Sequence, residues 1–212
     1  QAPGSYHHRL MVGNLAEQAA EAIGANPLLT RVGAYYHDIG KIRKPGYYVE
    51  NQGGATSRHT KLAPHLSSLV VMSHVRAGVE LAEAHGLPRA IVDLIHQHHG
   101  TRLVSFFYQK ARQAADPNLE TVDEETYRYP GPKPQSREAA ILMLADAVEA
   151  SARTLEDPTP ARIQGLVQTI TNMIFVDGQL DECDLTLRDL QAIAKSFVRV
   201  LTATFHARIE YP

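Results

Sequence analysis

The 212-residue chain has a single cysteine, Cys183, so no internal disulfide can hold it together, which fits a reducing compartment such as the cytosol. It also lacks an excess of either charge. With 21 Lys and Arg against 23 Asp and Glu, the formal net charge is −2, a balance that does not suggest a sequence-independent nucleic-acid binder but leaves room for a local pocket that takes one small anion. No apolar run approaches the roughly 18 residues that span a bilayer, and no charged, apolar, then small-residue leader opens the chain. It begins "QAPGSYHH" without Met and enters a helical pattern by position 6, which reads as a domain excised from a longer protein. Alternating apolar and polar stretches and β-branched runs are few, which argues against a sheet.

Apolar spacing is instead helical almost throughout. It predicts helices over 6–23, 27–42, 66–85, 88–99, 103–115, 136–155, 159–175 and 186–208. Gly24, Gly86 and Gly100 follow three of them, and Pro27, Pro88 and the Pro158/Pro160 pair stand near the start of three. The expected fold is therefore all-α, a helical bundle forming one domain over 1–212. Two long irregular segments interrupt it, 44–64 and 116–135, rich in Pro, Gly and polar residues yet carrying several tyrosines. Loops of that length in a compact domain are usually functional or disordered.

Histidine is abundant, with 11 residues, four of them in the pairs His7-His8 and His98-His99. On the first helix His8 shares an apolar face with Met11, Val12, Leu15 and Ala19, whereas His7 falls on a wetter face with Asn14 and Gln18. By the same reading His74 groups with Val70, Val71 and Gly78, and His98 with Ile91, Leu94 and Ile95. Asp146 groups with Leu142, Met143 and Ala150 inside "ILMLADAV". One inward histidine is ordinarily a hydrogen-bonded core residue. An inward carboxylate is harder to account for, because burying its charge unpaired costs several kcal/mol, so Asp146 needs a cationic or metallic partner.

The joint occurrence of inward histidines on separate helices, an inward Asp and the dipeptide His37-Asp38 points to a metal centre, since imidazole and carboxylate suit Fe, Mn, Zn or Ni. In such a centre His37 can bind one ion while the two oxygens of Asp38 bridge to a second. Paired ions about 3.5–4 Å apart activate water and suit in-line displacement at phosphorus. Lys41, three residues after Asp38 and four after His37, overhangs both on a helical turn.

The ordered set His8, His37-Asp38, His74, His98-His99, Asp146 resembles the H…HD…H…HH…D signature of the HD-domain metal-dependent phosphohydrolases. The stretches "YHHRLMVGNLAEQAAEAIGANPLLTRVGAYYHDIGKIRKPGYYVENQ", "HQHHGT", "YRYPGPKPQSREAAILMLADAVEA" and "DGQLDECDLTLRDL" look like the cytosolic HD domain of the seven-transmembrane-HD receptors, the PgpH-like cyclic di-AMP phosphodiesterases. That resemblance implies an HD-domain bundle whose His8, His37, Asp38 and Asp146 hold one divalent ion. Asp38, His74, His98 and His99 would hold a second, with iron or manganese the expected metals and Lys41 approaching the scissile phosphate. Of the ligands, His99 is the one whose alternative role is that of an outer hydrogen-bond donor. The implied reaction is hydrolysis of cyclic di-AMP to linear pApA by a two-metal-activated hydroxide, controlling the level of a second messenger.

The implied setting is the cytoplasmic face of a bacterial membrane, below a transmembrane region. Adenine would be held by stacking and edge contacts. Candidates are Tyr47, Tyr48, Glu50, Asn51 and Gln52 in the first long segment and Arg128, Tyr129 and Lys133 in the second. The cyclic di-GMP class of HD enzymes carries an extended Gly-Tyr-Pro motif after its His pair, whereas here "HHGTRLVSFFYQKA" runs straight into another helix, which disfavours that substrate. The rival readings are an HD nucleotidohydrolase acting on guanosine tetraphosphate or a mononucleotide, and a sensing module with a structural metal centre and guanosine tetraphosphate as effector. Exposed Leu, Phe and Tyr permit a homodimer without specifying one.

Overall fold

The computed structural model describes residues 3–52, 57–115 and 121–206. Among them the chain forms eight α-helices: α1 (Pro3–Ile23), α2 (Pro27–Tyr36), α3 (Pro64–Ala84), α4 (Arg89–Gln97), α5 (Ser105–Ala114), α6 (Arg137–Ala152), α7 (Pro160–Val176) and α8 (Leu187–His206). The all-α expectation holds: among the described residues the only strand-like pairing is an isolated antiparallel bridge between Leu103 and Arg128. The expected residues 207 and 208 of the last helix lie outside the described residues.

α6 is the hub. Every residue from Ala139 to Glu149 is buried, so the helix is enclosed on all faces, with Asp146 and Glu149 as its buried carboxylates, and packs against α1, α2, α4, α7 and α8. A run with that little amphipathicity can persist only as a fully enclosed helix. Its alanines let the neighbouring backbones come close, and Leu15, Ile141, Leu144, Ile163, Ile193 and Phe197 fill the core around it. A second, smaller apolar cluster joins α3 and α4 through Ala82, Ile91, Val92 and Ile95. Side-chain caps fix two helix starts that orient the site: Asn26 accepts from Leu29 N–H, and Ser136 from Ala139 N–H.

Most predicted boundaries shift by one to three residues, and the ends of the second and fourth helices build the site. The helix expected over 27–42 ends at Tyr36. His37 still has helical dihedrals, but Asp38, at φ −103° and ψ 13°, leaves the helix, and Ile39–Arg43 continues as a tighter 3-10 turn. Gly40 makes this possible. A Cβ there would lie 1.9 Å from the His74 carbonyl oxygen and 2.5 Å from Gly78 N, so only glycine lets this turn press against α3. Likewise α4 ends at Gln97 rather than 99, which places both His98 and His99 beyond its last regular turn.

The first long segment is not featureless. Pro45–Tyr47, Val49–Asn51 and Arg58–Lys61 form short 3-10 turns around residues 53–56, which lie outside the described residues. In the second, residues 116–120 are likewise outside the description, and Glu125–Tyr127 forms a 3-10 turn that leads into the Leu103–Arg128 bridge. Among the described residues no helix is long and apolar enough to cross a membrane.

Candidate metal centre and substrate cavity

All seven predicted ligands converge on one spot between the two apolar clusters. His8 comes from α1, His37 and Asp38 from the end of α2, His74 from α3, His98 and His99 from the end of α4, and Asp146 from α6. His8 Nε2 lies 3.1 Å from Asp146 Oδ1 and 3.8 Å from Asp38 Oδ2. His37 Nε2 is 3.4 Å from Asp38 Oδ2 and 3.6 Å from Asp146 Oδ1. On the other side of Asp38, Oδ1 is 3.4 Å from His74 Nε2 and 3.9 Å from His98 Nε2. Asp38 thus presents one oxygen to each half of the cluster.

The proton positions follow from hydrogen bonding. Nδ1 of His37, His74 and His98 each faces the carbonyl three residues earlier, of Ala34, Val71 and Ile95, at 2.6–2.7 Å. A carbonyl only accepts, so each Nδ1 carries hydrogen, and in the neutral ring each Nε2 presents a lone pair to the centre. Fixing the tautomer by a hydrogen bond on the far nitrogen is how histidine ligands are oriented toward metals. His8 reaches the same end differently: its Nδ1 pairs with the buried carboxylate of Glu149.

His99 is half-buried. Its Nδ1 stands 3.8 Å from Asp146 Oδ2, and its ring stacks on Tyr129 at 4.3 Å. The rings of His98 and His99 are only 4.0 Å apart, because both leave the chain beyond the regular helix and turn to the same side.

Buried polar atoms here are not satisfied by protein alone. His37 Nε2 and both oxygens of Asp38 are buried without a hydrogen-bond partner. Such orphaned groups are rare, and each calls for an explanation such as a bound ion. Lys41 Nζ is 2.7 Å from Asp38 Oδ2, an ion pair whose angles do not make it a hydrogen bond. The sets His8, His37, Asp38 and His74, His98, His99 each bring ligand atoms within 4.8 Å of one another, close enough to hold a metal ion. The donor set, imidazole nitrogen and carboxylate oxygen without thiolate, fits a first-row divalent ion.

Electrostatics divide the cluster. Burial pushes the carboxyls of Asp38 and Asp146 up, but their cationic and imidazole neighbours, Lys41 and His37 for Asp38 and His37 and His8 for Asp146, hold both well below the usual carboxylate range. Burial lowers His37, yet Asp38 and Asp146 outweigh it and raise the ring to about 10. His98 is pushed down to about 3 by burial and the neighbouring histidines, and His74 and His99 are lowered chiefly by burial. Burial also opposes the charge of Lys41, but Asp38 and Glu50 keep it firmly protonated.

Four members of the cluster, His8, His74, His99 and Asp146, line a cavity of about 550 Å³, within the range of small-molecule pockets. Of the predicted substrate contacts, Lys41, Tyr47, Tyr48, Glu50, Gln52 and Tyr129 line it. Glu50 accepts from Lys41 Nζ at 2.8 Å, and the Tyr48 ring lies 5.1 Å beneath the same ammonium. Tyr129 is held over His99 by the bridge, its N–H donating to Arg102 O.

Three predicted contacts are not brought to the cavity. Asn51 is turned to α1, where its Oδ1 accepts from Ser5 N–H and its Nδ2 donates to Ser5 Oγ. Arg128 is bound by Glu124, Asp177 and the Thr101 carbonyl, and so braces the bridge rather than facing the cavity. Lys133 points to Asp181 at 3.7 Å. Conversely, sequence reasoning passed over Glu149, Arg153, His59, Phe106 and Phe107, the last four of which line the cavity. Glu149 was accessible, since it stands three residues after Asp146 and therefore on the same side of α6. Nothing local marks the other four.

The sequence model of the HD domain family matches residues 5–151. The chain belongs to the HD domain family. This HD domain is 50% identical over all 212 residues to "Cyclic-di-AMP phosphodiesterase PgpH" of Bacillus subtilis (strain 168). It is 44% identical to the protein of that name from Listeria monocytogenes serotype 1/2a. It spans 29% of the length of each. It also resembles the solved HD domain of L. monocytogenes PgpH in complex with cyclic-di-AMP, with a TM-score of 0.92 and 44% identity, covering 100% of this chain and 96% of that one.

Proposed function

We propose that this HD domain hydrolyses cyclic di-AMP to linear pApA, using two divalent ions, iron or manganese. The observation that carries the reading is the convergence of five histidines and Asp146 around Asp38, whose buried oxygens accept no hydrogen bond, beside an aromatic-lined cavity. The likeness to a PgpH domain solved with cyclic-di-AMP supports the choice of substrate.

His8, His37, Asp38 and Asp146 would hold one ion and Asp38, His74, His98 and His99 the other, with Asp38 common to both. Such a pair supplies, when bound, an activated water and charge stabilisation on the phosphoryl oxygens. The remaining work falls to the chain. Lys41, kept cationic by Asp38 and Glu50, faces the cavity beside the cluster and is placed to take a non-bridging phosphate oxygen. Glu50 accepts from the Lys41 ammonium and also from Ser5 Oγ–H at 3.2 Å, which fixes it in turn. Tyr47, Tyr48 and Tyr129 offer faces and edges for the adenines and exclude water from the cluster.

We further read the domain, over 1–212, as part of a longer protein, which its 29% share of its PgpH relatives supports, and read its setting as the cytoplasmic face of a bacterial membrane. The test is turnover by the purified, ion-loaded domain on cyclic di-AMP, cyclic di-GMP and guanosine tetraphosphate, with Asp38→Ala beside it. Preferential formation of pApA, lost in Asp38→Ala, is expected. Turnover of guanosine tetraphosphate instead, or of nothing at full ion occupancy, would sink the assignment in favour of a different nucleotidohydrolase or of a sensing module.

A further inference from the structure

A cyclic dinucleotide brings two phosphodiesters, and only one can sit at the His/Asp cluster at a time. The other keeps a full negative charge and must be held in the rest of the cavity, where Tyr47, Phe106, Phe107 and Tyr129 supply mostly apolar surface. An anion set there without a partner would lose hydration uncompensated.

Lys41 and Arg153 are the permanently cationic side chains among the described residues that line the cavity. Lys41, paired with Asp38 and Glu50 beside the cluster, is the residue assigned above to the phosphate being cleaved. Arg153, at the C-terminal end of α6, directs its Nε toward Glu149 Oε2 at 3.3 Å, and its side chain is 40% exposed. Its two terminal nitrogens make no hydrogen bond among the described residues, so the planar fork that matches a phosphate is still on offer. Glu149 Oε2 also pairs with His8 Nδ1, so the guanidinium is one carboxylate away from the ring of a cluster histidine. The ion pair of Nε with Glu149 restrains the side chain from behind, which reduces the entropy lost when its fork binds.

We propose that Arg153 anchors the phosphodiester that is not being cleaved, and so selects substrates with two phosphates over those with one. The proposal rests on the cyclic-dinucleotide reading above. It is tested on ion-loaded wild type, Arg153→Gln and Arg153→Lys, with cyclic di-AMP and with bis(p-nitrophenyl) phosphate, which carries a single phosphodiester, and with ion content measured in each protein.

In Arg153→Gln, kcat/KM for cyclic di-AMP should fall about 10- to 100-fold, the loss expected for a hydrogen bond to a charged group, mainly through KM. The ratio of the two specificity constants should fall at least about tenfold, with ion content retained and partial recovery in Arg153→Lys. Equal loss on both substrates, or loss that tracks ion content, would overturn the proposal, showing that Arg153 acts only through Glu149 on His8. If wild type cleaves the single diester but not cyclic di-AMP, the substrate reading itself fails and takes the proposal with it, a result visible before any substitution is made.

Discussion

His74 Nε2 faces His98 Nε2 at 3.2 Å, and neither nitrogen carries hydrogen in the neutral ring, because each Nδ1 donates to a backbone carbonyl. Two lone pairs held that close repel unless an electrophile sits between or beside them. His98→Ala should therefore lower bound metal from about two ions per chain to about one, since losing one ligand of a site with a shared carboxylate empties that site first. Metal analysis after dialysis checks this; two ions retained in His98→Ala would remove the ring from the ligand set.

The charge asymmetry of the cluster gives a pH signature. In the ion-free domain His37 is raised to about 10, above its ordinary value, so its contribution to stability is complete below about 6.5 and fades as pH rises through 10. His98 is lowered to about 3, so its contribution is complete above about 6.5 and fades as pH falls toward 3. Asp38 and Asp146, both lowered, add to the acid side once pH drops below the ordinary carboxylate range. Urea unfolding of chelator-treated protein should show stability greatest near about pH 6.5 and declining in both directions. Added ions should flatten the alkaline limb, because the metal replaces the His37 proton; calorimetry at pH 8 in buffers of different ionisation enthalpy should show that proton released.

Gly40 supports the site by having no side chain. Gly40→Ala puts a methyl group 1.9 Å from the His74 carbonyl oxygen, which is backbone and cannot swing away. The turn must lift off α3, at a cost of about 1–3 kcal/mol by analogy with overpacked cores, and carry Asp38 away from His74. A lowered denaturation midpoint together with reduced ion content is expected. Destabilisation with normal ion binding would show that the close approach serves packing alone.

Most of the fold was readable because helix spacing, glycine stops and proline starts are local signals. The break after Tyr36 was not, since apolar periodicity runs on through Ile42. What ends the helix is tertiary: the close fit of Gly40 against α3 and the convergence of Asp38 with histidines from other helices. The metal ligands were legible because a carboxylate or imidazole on an apolar face is conspicuous. The cavity wall was less so. Arg128 and Tyr129 are adjacent in sequence, yet one braces against Asp177 and the other stacks on His99, a division set by a one-residue bridge that composition does not announce.

Glu149 should matter for metal binding without touching the metal. Glu149→Gln keeps a hydrogen-bond acceptor for His8 Nδ1–H but removes the charge that helps hold the ring basic. Ion affinity should fall roughly 10- to 100-fold, the usual effect of altering the partner of a metal-bound histidine. Competition with a chelator of known affinity measures it; an unchanged affinity would make Glu149 a packing residue.

The central claim is that Asp38 joins two ions. Anomalous scattering from crystals of the manganese-loaded domain tests it most directly. Two peaks about 3.5–4 Å apart are predicted, one on the His8 and His37 side and one on the His74 and His98 side, with one Asp38 oxygen directed to each. A single peak, or two peaks with Asp38 bound to only one of them, would contradict the account.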